Sequence, residues 1–226
     1  MNKIDKTAII GEHVLMGDNN VILPYTIIYD GVQLGNNNVI GSHAVIGCPA
    51  TDTKKITPHV EDVCVHIGDN NVIREFCIVE RPCYEQKSVI QNDVFLMQGV
   101  HLSHDNILQD HVVVTNQCVL GGIAKILEGA NLGMGCTINQ YTIIGQYSMV
   151  ATGAPCMKNV KPFSRHIPNK PISVNVYALK KYGFMEYLEE ITAYVMDGVM
   201  PVSPKIRDMV SEFDKWVAVY GHETYK

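Results

Sequence analysis

The chain has 226 residues, 46% of them hydrophobic, and a net charge of -5 at pH 7. This length is enough for one sizeable domain and a small appendage. There is no basic run or arginine-rich stripe, so the sequence lacks the electrostatic signature of a nucleic-acid binder, and small molecules or proteins are the expected partners. The first residues lack the apolar segment of a signal peptide, and no apolar run approaches the ~20 residues of a membrane span, so we expect a cytoplasmic protein. The seven cysteines include no CxxC pair, and we expect them to be reduced and mostly buried.

Aliphatic residues recur at every sixth position through most of the chain. A first run extends without a gap from Ile4 to Ile46, and a second from Ile90 to Val150. A period of six fits neither an amphipathic helix nor an alternating strand. It fits a triangular prism in which each hexapeptide forms one short strand and a corner, three hexapeptides form a coil of about 18 residues, and coils stack ~4.8 Å apart.

Two stretches lie outside this register, residues 47–66 and 81–89. They do not fit into a wall, so we expect them to project as loops, which often carry function. Beyond a proline-rich segment the spacing becomes helical, with Ser203 and Pro204 as the start of a last helix. We therefore predict an all-β parallel β-helix over residues 1–165 with inserts at 47–66 and 81–89, and a small α-helical C-terminal domain over residues 166–226.

The stretch "LMQGVHLSHDN", residues 96–106, contains two histidines and an aspartate. With a coil of about 18 residues, His104, Gly122 and Gln140 lie one above another on an outward-facing wall. A histidine followed by a carboxylate, here Asp105, can be held in one tautomer as a general base. Gly122 has no side chain to shield its N–H, which is therefore able to meet an oxyanion. The column predicts a catalytic site.

Other interpretations of these residues stay open. An outward histidine on such a wall is often only solvated. His101, His104 and His111 also offer three nitrogen ligands, as in the zinc sites of γ-carbonic anhydrase prisms. His111 lies on another part of the coil, and we expect no metal. Cys118 and Cys136 fall at interior positions, so we do not expect a cysteine nucleophile.

Four segments together resemble the UDP-N-acetylglucosamine O-acyltransferases, the family that opens lipid A synthesis. They are "IGDNNVIREF", "LMQGVHLSHD", "INQYTIIG" and "VNVYALKKYGF", in this order and at compatible spacing between about Ile67 and Phe184. The resemblance implies a left-handed β-helix and a homotrimer with active sites between subunits. It also implies transfer of a 3-hydroxyacyl group from acyl carrier protein to the 3-hydroxyl of the nucleotide sugar, with no bound cofactor.

The resemblance also implies roles for individual residues. His104 matches the general base of the family, Asp105 the acid that orients it, and Gly122 the oxyanion-hole glycine. The matches to substrate contacts are His101 and Gln140 near the sugar or acyl chain, Asp52 and Lys54 at the nucleotide sugar, Asn175 on the donor side, Lys181 in place of an arginine, and Thr152 at the position that limits acyl length. Three further departures are Glu80, Ile123 and Asn139, which stand where the family usually has histidines.

Three functions stay open at this point. The first is the O-acyltransferase that uses acyl carrier protein. The second is an acyl-CoA-dependent N- or O-acyltransferase acting on another nucleotide-linked sugar, which the missing histidines and the short helical tail favour. The third is a non-enzymatic scaffold or ice binder. It is disfavoured because the sequence has no flat threonine ladder and because such a function would leave the inserts and the column unexplained.

Overall fold

The structure, a computed structural model, describes residues 1–53, 64–85 and 87–226. Very short strands joined by turns recur through most of this part of the chain. In chain order they are β1 (Lys3–Ile4), β2 (Ile9–Ile10), β3 (Leu15–Met16), β4 (Val21–Ile22), β5 (Ile27–Ile28), β6 (Val32–Leu34), β7 (Val39–Ile40), β8 (Val45–Cys48), β9 (Cys64–Ile67), β10 (Val72–Ile73), β11 (Ile78–Glu80), β12 (Lys87–Ile90), β13 (Phe95–Leu96), β14 (His101–Leu102), β15 (Ile107–Leu108), β16 (Val113–Val114), β17 (Val119–Leu120), β18 (Lys125–Ile126), β19 (Asn131–Leu132), β20 (Thr137–Ile138), β21 (Ile143–Ile144), β22 (Met149–Val150), β23 (Pro155–Cys156), β24 (Ser164–His166) and β25 (Ser173–Val174).

The strands form three sheets, because each strand generally pairs with the strand three places further along the chain. Sheet A has the order β1, β4, β7, β10, β13, β16, β19, β22, β24, β25; sheet B has β2, β5, β8, β11, β14, β17, β20, β23; sheet C has β3, β6, β9, β12, β15, β18, β21. His101 pairs with Val119, and Val119 pairs with Thr137, both in parallel. The predicted coil of 18 residues is therefore observed, and the three sheets are the walls of a parallel β-helix.

The aliphatic repeat fills the interior of this prism. Leu102, Leu120 and Ile138 stack in successive coils and are almost fully buried. Burial of each such side chain contributes roughly 1.5–3 kcal/mol, so the repeat as a whole provides the main stabilisation of the fold. Cys118 and Cys136 are also buried in this core, as predicted. At the N-terminal end the pattern weakens, and Ile4 is 48% exposed because its coil has a neighbour on one side only.

Both inserts are shorter than predicted. β9 and β12 pair with each other over four residues, so residues 64–66 and 87–89 belong to the wall. Extension of the ladder satisfies the backbone N–H and C=O groups of residues that would otherwise leave the wall unpaired. The described parts of the inserts are therefore residues 49–53 and 81–85.

The β-structure continues beyond the predicted boundary at 165/166. β24 adds in parallel to β22, and β25 then pairs with β24 in antiparallel. Three α-helices and a short 3-10 helix follow, namely α1 (Val176–Tyr182), the 3-10 helix (Met185–Tyr187), α2 (Leu188–Asp197) and α3 (Pro204–Tyr220).

The last helix, α3, lies against the wall of the prism. It begins at Pro204 after Ser203, as predicted. Phe213 of this helix packs against Leu127 and Ile143, which follow or lie in strands of sheet C. In the described part of the chain no helix combines the length and the apolar character that a bilayer crossing requires.

Candidate active site

His104 and Asp105 lie at the corner between β14 and β15. The Nδ1 atom of His104 is 2.7 Å from Oδ2 of Asp105. Because an ionised carboxylate only accepts hydrogen bonds, the neutral imidazole donates from Nδ1 and presents Nε2 as an acceptor. His104 is only 7% exposed, whereas the sequence predicts a position on an outward-facing wall. The difference arises because the second insert covers it, with the Tyr84 ring centroid 5.5 Å from that of His104.

The carboxylate of Asp105 is held by the backbone of the second insert. The N–H groups of Cys83, Tyr84 and Glu85 donate to it over 2.9–3.3 Å. Three successive N–H groups form a concave anion-binding site, so the negative charge is compensated by fixed dipoles. The backbone of Asp105 has a φ of 59°, a left-handed conformation that aspartate adopts more readily than most residues. The acid is therefore fixed at both its side chain and its backbone.

Gly122 lies one coil along from His104. Ile123 N–H donates to the His104 carbonyl at 2.9 Å, and Tyr141 N–H donates to the Gly122 carbonyl at 3.0 Å. A Cβ atom built on Gly122 would lie 2.5 Å from Nε2 of His104, so any side chain here would displace the ring. Among residues 1–53, 64–85 and 87–226, none accepts a hydrogen bond from the buried Gly122 N–H. This donor is thus available beside the imidazole.

The same edge of the prism carries Gln140, one further coil along. A Cβ atom built on Gly121 would lie 2.7 Å from the backbone nitrogen of Gln140, which shows how closely the coils stack at this corner. Gln140 is exposed and follows β20, just as His104 follows β14. The predicted column of His104, Gly122 and Gln140 is therefore observed.

Glu80 is a buried carboxylate beside this column. Its oxygens lie within hydrogen-bonding distance of four protein groups: His101 Nε2 at 3.0 Å, His104 N–H at 3.1 Å, and the N–H and hydroxyl of Thr51 at 3.1 and 2.7 Å. Burial raises the pKa of Glu80, but the hydrogen bonds from His101 and Thr51 outweigh it, and the net shift is downward. Glu80 therefore joins the first insert to both histidines.

Asp52 reaches the site through Tyr84. The Tyr84 hydroxyl donates to Oδ2 of Asp52 at 3.0 Å, and this bond is the main reason that the pKa of Tyr84 rises to about 12. Lys54, the other residue predicted from the first insert, lies outside the described residues. Sequence reasoning missed the roles of Tyr84 and Glu80, because their partners are 32 and up to 29 positions away and separated from them by an insert.

The other predicted residues lie on a second surface. Asn175 and Lys181 line a cavity of about 270 Å³ together with Arg165. Thr152 is exposed in a groove of about 490 Å³ that also contains several methionines, namely Met97, Met134 and Met149. Asn131 and Met149 line both the cavity and the groove, so the two spaces adjoin. Asn175 itself caps α1, and its Nδ2 donates to the Tyr147 carbonyl at 2.9 Å.

These two surfaces occupy different edges of the prism. His104 lies where the chain turns from sheet B to sheet C, whereas Thr152 lies where it turns from sheet A to sheet B. On the first edge the structure brings together His101, His104, Asp105, Gly122, Gln140 and, through Tyr84, Asp52. Thr152 lies on the second edge, and Asn175 and Lys181 lie in the adjoining cavity over sheet A.

One group of side chains in the described part of the chain has spacing suitable for a metal ion. Ligand atoms of Cys83, His104 and Asp105 lie within 4.8 Å of one another. This group differs from the histidine set considered above, because His111 lies beside Asp93 on another part of the coil. The Asp105 carboxylate already accepts from three backbone N–H groups and from His104, so these residues fit a hydrogen-bonded pair better than a set of metal ligands.

The chain is similar to proteins of known families in both sequence and fold. The family model "Bacterial transferase hexapeptide (six repeats)" matches residues 13–48. A relative from Aliarcobacter butzleri, named acyl-[acyl-carrier-protein]--UDP-N-acetylglucosamine O-acyltransferase, is 31% identical over 204 residues, covering 80% of this chain and 77% of the relative. The chain belongs to the UDP-N-acetylglucosamine O-acyltransferase family. The predicted resemblance is thereby confirmed.

Three further similarities, one to a sequence and two to solved structures, differ in how much of each chain they cover. The Aliivibrio fischeri acyltransferase of the same name is 29% identical over 145 residues, and the match spans 62% of this chain but only 54% of that relative. The structure of the UDP-N-acetylglucosamine acyltransferase from Bacteroides fragilis superposes with a TM-score of 0.81 at 26% identity, covering 100% of this chain and 98% of the other. The Francisella novicida structure gives a TM-score of 0.79 at 21% identity, over 99% and 92%. The predicted left-handed parallel β-helix with a small helical C-terminal part is confirmed.

Proposed function

We propose that this protein transfers a 3-hydroxyacyl group from acyl carrier protein to the 3-hydroxyl of UDP-N-acetylglucosamine, the first step of lipid A synthesis, in the cytoplasm. The observation that carries this proposal is the hydrogen-bonded pair of His104 and Asp105 beside the available Gly122 N–H. The names of the relatives supply the substrates, since they specify an acyl carrier protein donor and this nucleotide sugar.

The chemistry follows from this pair. Nε2 of His104 takes the proton of the sugar hydroxyl as the oxygen attacks the thioester carbonyl, and Asp105 stabilises the imidazolium that forms. The N–H of Gly122 donates to the oxyanion of the tetrahedral intermediate. When the intermediate collapses, the C–S bond breaks, and His104 returns its proton to the pantetheine thiolate. The step needs no bound cofactor.

The two surfaces support a homotrimer. His104 is on one edge of the prism, and the methionine-lined groove of Thr152 is on another. The basic cavity of Lys181 adjoins that groove on the face of sheet A. Both surfaces become parts of one site if the Thr152 edge of one subunit faces the His104 edge of the next. Such a contact joins different surfaces and forms a ring if the rotation closes, and the family resemblance implies a ring of three members.

The substrate contacts divide accordingly. On the His104 edge we assign His101, Gln140, Asp52 and Lys54 to the sugar and its nucleotide. On the other edge we assign Asn175 and Lys181 to polar groups of the substrates and Thr152 to the acyl tail. Glu80 contacts no substrate in this proposal, because its oxygens are occupied by Thr51, His101 and His104.

An acyl-transfer assay tests the proposal. The purified chain is incubated with UDP-N-acetylglucosamine and matched 3-hydroxyacyl donors on acyl carrier protein or on CoA, and products are identified by mass spectrometry. We expect acylation from the carrier-protein donor, with an ester that hydroxylamine cleaves. Failure with every donor would contradict the proposal. In a parallel incubation with an amino-sugar nucleotide, a hydroxylamine-resistant amide formed only from acyl-CoA would contradict it and favour the N-acyltransferase.

A further inference from the structure

Lys125 in β18 is completely buried, although lysine is rarely buried without a partner. Its neighbour Ile126 points into the prism, so the side chain of Lys125 points outward, beneath α3. The ammonium lies 5.6 Å from the ring centroid of Trp216 and 5.5 Å from that of Tyr220, within range of cation–π attraction. The aromatic residues of α3 therefore cover this charge.

The ammonium is bound to the residues that hold the acid of the pair. Nζ of Lys125 donates to Oε2 of Glu85 at 2.8 Å and to the backbone carbonyl of Asp105 at 3.0 Å. The Glu85 N–H in turn donates to the Asp105 carboxylate at 2.9 Å. The three residues thus form a closed ring of contacts that grips Asp105 at both its carbonyl and its carboxylate.

The C-terminal helix completes this ring. The Tyr220 hydroxyl donates to the second carboxylate oxygen of Glu85. Gln109 and Gln146 of the prism both donate to Glu212, which precedes Tyr220 by about two turns of α3. These bonds anchor the helix to the prism. The position of α3 is therefore linked to Asp105 through Tyr220 and Glu85.

Stability alone does not account for a buried lysine here. Burial lowers the pKa of Lys125, and the interaction with Glu85 offsets this only in part. Replacement of a buried ion pair by apolar groups of similar size is often neutral or stabilising. The ring of contacts needs another explanation, and its position against Asp105 provides one.

We infer that Glu85 and Lys125, of which Lys125 is covered by α3, are positioning residues. They hold Asp105 and the second insert so that His104 keeps its Nδ1–H tautomer and its orientation beside Gly122. This inference rests on the proposed function for its effect on turnover. Neither residue touches the reacting atoms. Since a displacement of about 1 Å can lower turnover by about 100-fold, loss of the pair reduces kcat far more than KM.

The decisive variant is Lys125→Met combined with Glu85→Gln, because it removes the pair without leaving either charge uncompensated. The matched control is Lys158→Met with Glu223→Gln, which removes an exposed ion pair elsewhere on the chain. We measure kcat and KM, the thermal midpoint, and the His104 tautomer by 15N NMR without substrate. If the double variant does not fold, Tyr220→Phe is used instead. It keeps the aromatic ring of residue 220 and removes only the hydrogen bond from its hydroxyl to Glu85.

For the Lys125 and Glu85 variant we expect kcat to fall by about 10- to 100-fold, KM to stay within about threefold, and the thermal midpoint to be equal or higher. His104 should change from one tautomer to a mixture, and the control should match the wild type. An unchanged tautomer overturns the inference, as does a kcat within about threefold of wild type. If the wild-type chain shows no transfer, the proposed function fails, and the substrate-free tautomer measurement still decides this inference.

Discussion

Gly122 and His104 lie so close that a Cβ atom on Gly122 would be 2.3 Å from Cε1 of the imidazole. The φ of Gly122 is not in the left-handed region, so the glycine is required for space and not for backbone conformation. A single methyl group added to Gly122 therefore tests the site directly, because the methyl group disturbs both the imidazole and the N–H donor.

We expect Gly122→Ala to lower kcat by about 100-fold or more, because the methyl displaces the imidazole from the oxyanion donor. The measurement is turnover at saturating substrate, with circular dichroism to verify folding. The control is Gly135→Asn, since Gly135 has a φ of 65°, a Cβ atom added there meets no other atom within 4 Å, and asparagine tolerates that conformation. Wild-type turnover in Gly122→Ala would remove Gly122 from the site.

Glu80 should make the fold sensitive to acid. Its pKa in the folded protein is below the ordinary 4.5, so the unfolded chain binds more protons in this range and stability rises with pH. The stabilisation is complete above 4.5 and is lost as pH falls through the lower, folded value. Near neutral pH we expect Glu80→Gln to be less stable than wild type by about 1–3 kcal/mol.

Urea unfolding over a series of pH values measures this effect. The difference in unfolding free energy between wild type and Glu80→Gln should shrink steadily below pH 4.5. Glu12→Gln, at an exposed position of the first coil, is the control. A difference that stays constant down to acid pH would show that the Glu80 charge does not stabilise the fold.

Thr152 should limit the length of the acyl chain. Its side chain is exposed in the methionine-lined groove, where a glycine would leave more room. Each methylene excluded from an apolar groove forfeits about 0.8 kcal/mol, so exclusion of two changes donor preference by more than about tenfold. We expect wild type to prefer 3-hydroxyacyl chains of about ten to twelve carbons or shorter over fourteen, and Thr152→Gly to accept longer ones.

Competition between donors of different length measures this preference. Thr137→Gly is the control, because Thr137 is an exposed threonine on β20 that does not line the groove. If Thr152→Gly and wild type show the same length profile, Thr152 has no part in selection.

The chain should form a trimer of about 75 kDa, three copies of the 25.1 kDa chain, in sedimentation equilibrium. Each site then needs His104 from one subunit and Lys181 from another. Mixing His104→Asn chains with Lys181→Ala chains under conditions of subunit exchange should restore activity, because some interfaces contain neither substitution. A monomer that is active at assay concentration would contradict this assembly.

The period of six allowed the prism, its core and the His104 column to be predicted from the sequence. The period predicts these features because strands that pair in register place residues 18 apart in the same environment. Leu102, Leu120 and Ile138 therefore occupy equivalent interior positions in successive coils. The burial of His104 was not predictable in this way, because Tyr84 belongs to an insert that has no register.

The contact between Lys125 and Glu85 was also not predictable from the sequence. The two residues are 40 positions apart, and one of them lies in the insert. Their cover, Trp216 and Tyr220, comes from a helix whose docking depends on side-chain packing and not on the repeat. A lone lysine between apolar residues in "GGIAKIL" was the only signal, and it does not identify a partner.

Turnover of His104→Asn tests the central claim most directly. Asparagine keeps an N–H donor for Asp105 and a polar side chain in the buried position, but it cannot act as a base. We predict a loss of about 10²- to 10⁴-fold or more in kcat with an intact fold, while His111→Asn, at a histidine outside the site, retains wild-type turnover. A His104→Asn variant that keeps more than about a tenth of wild-type turnover would contradict the assignment of His104 as the general base.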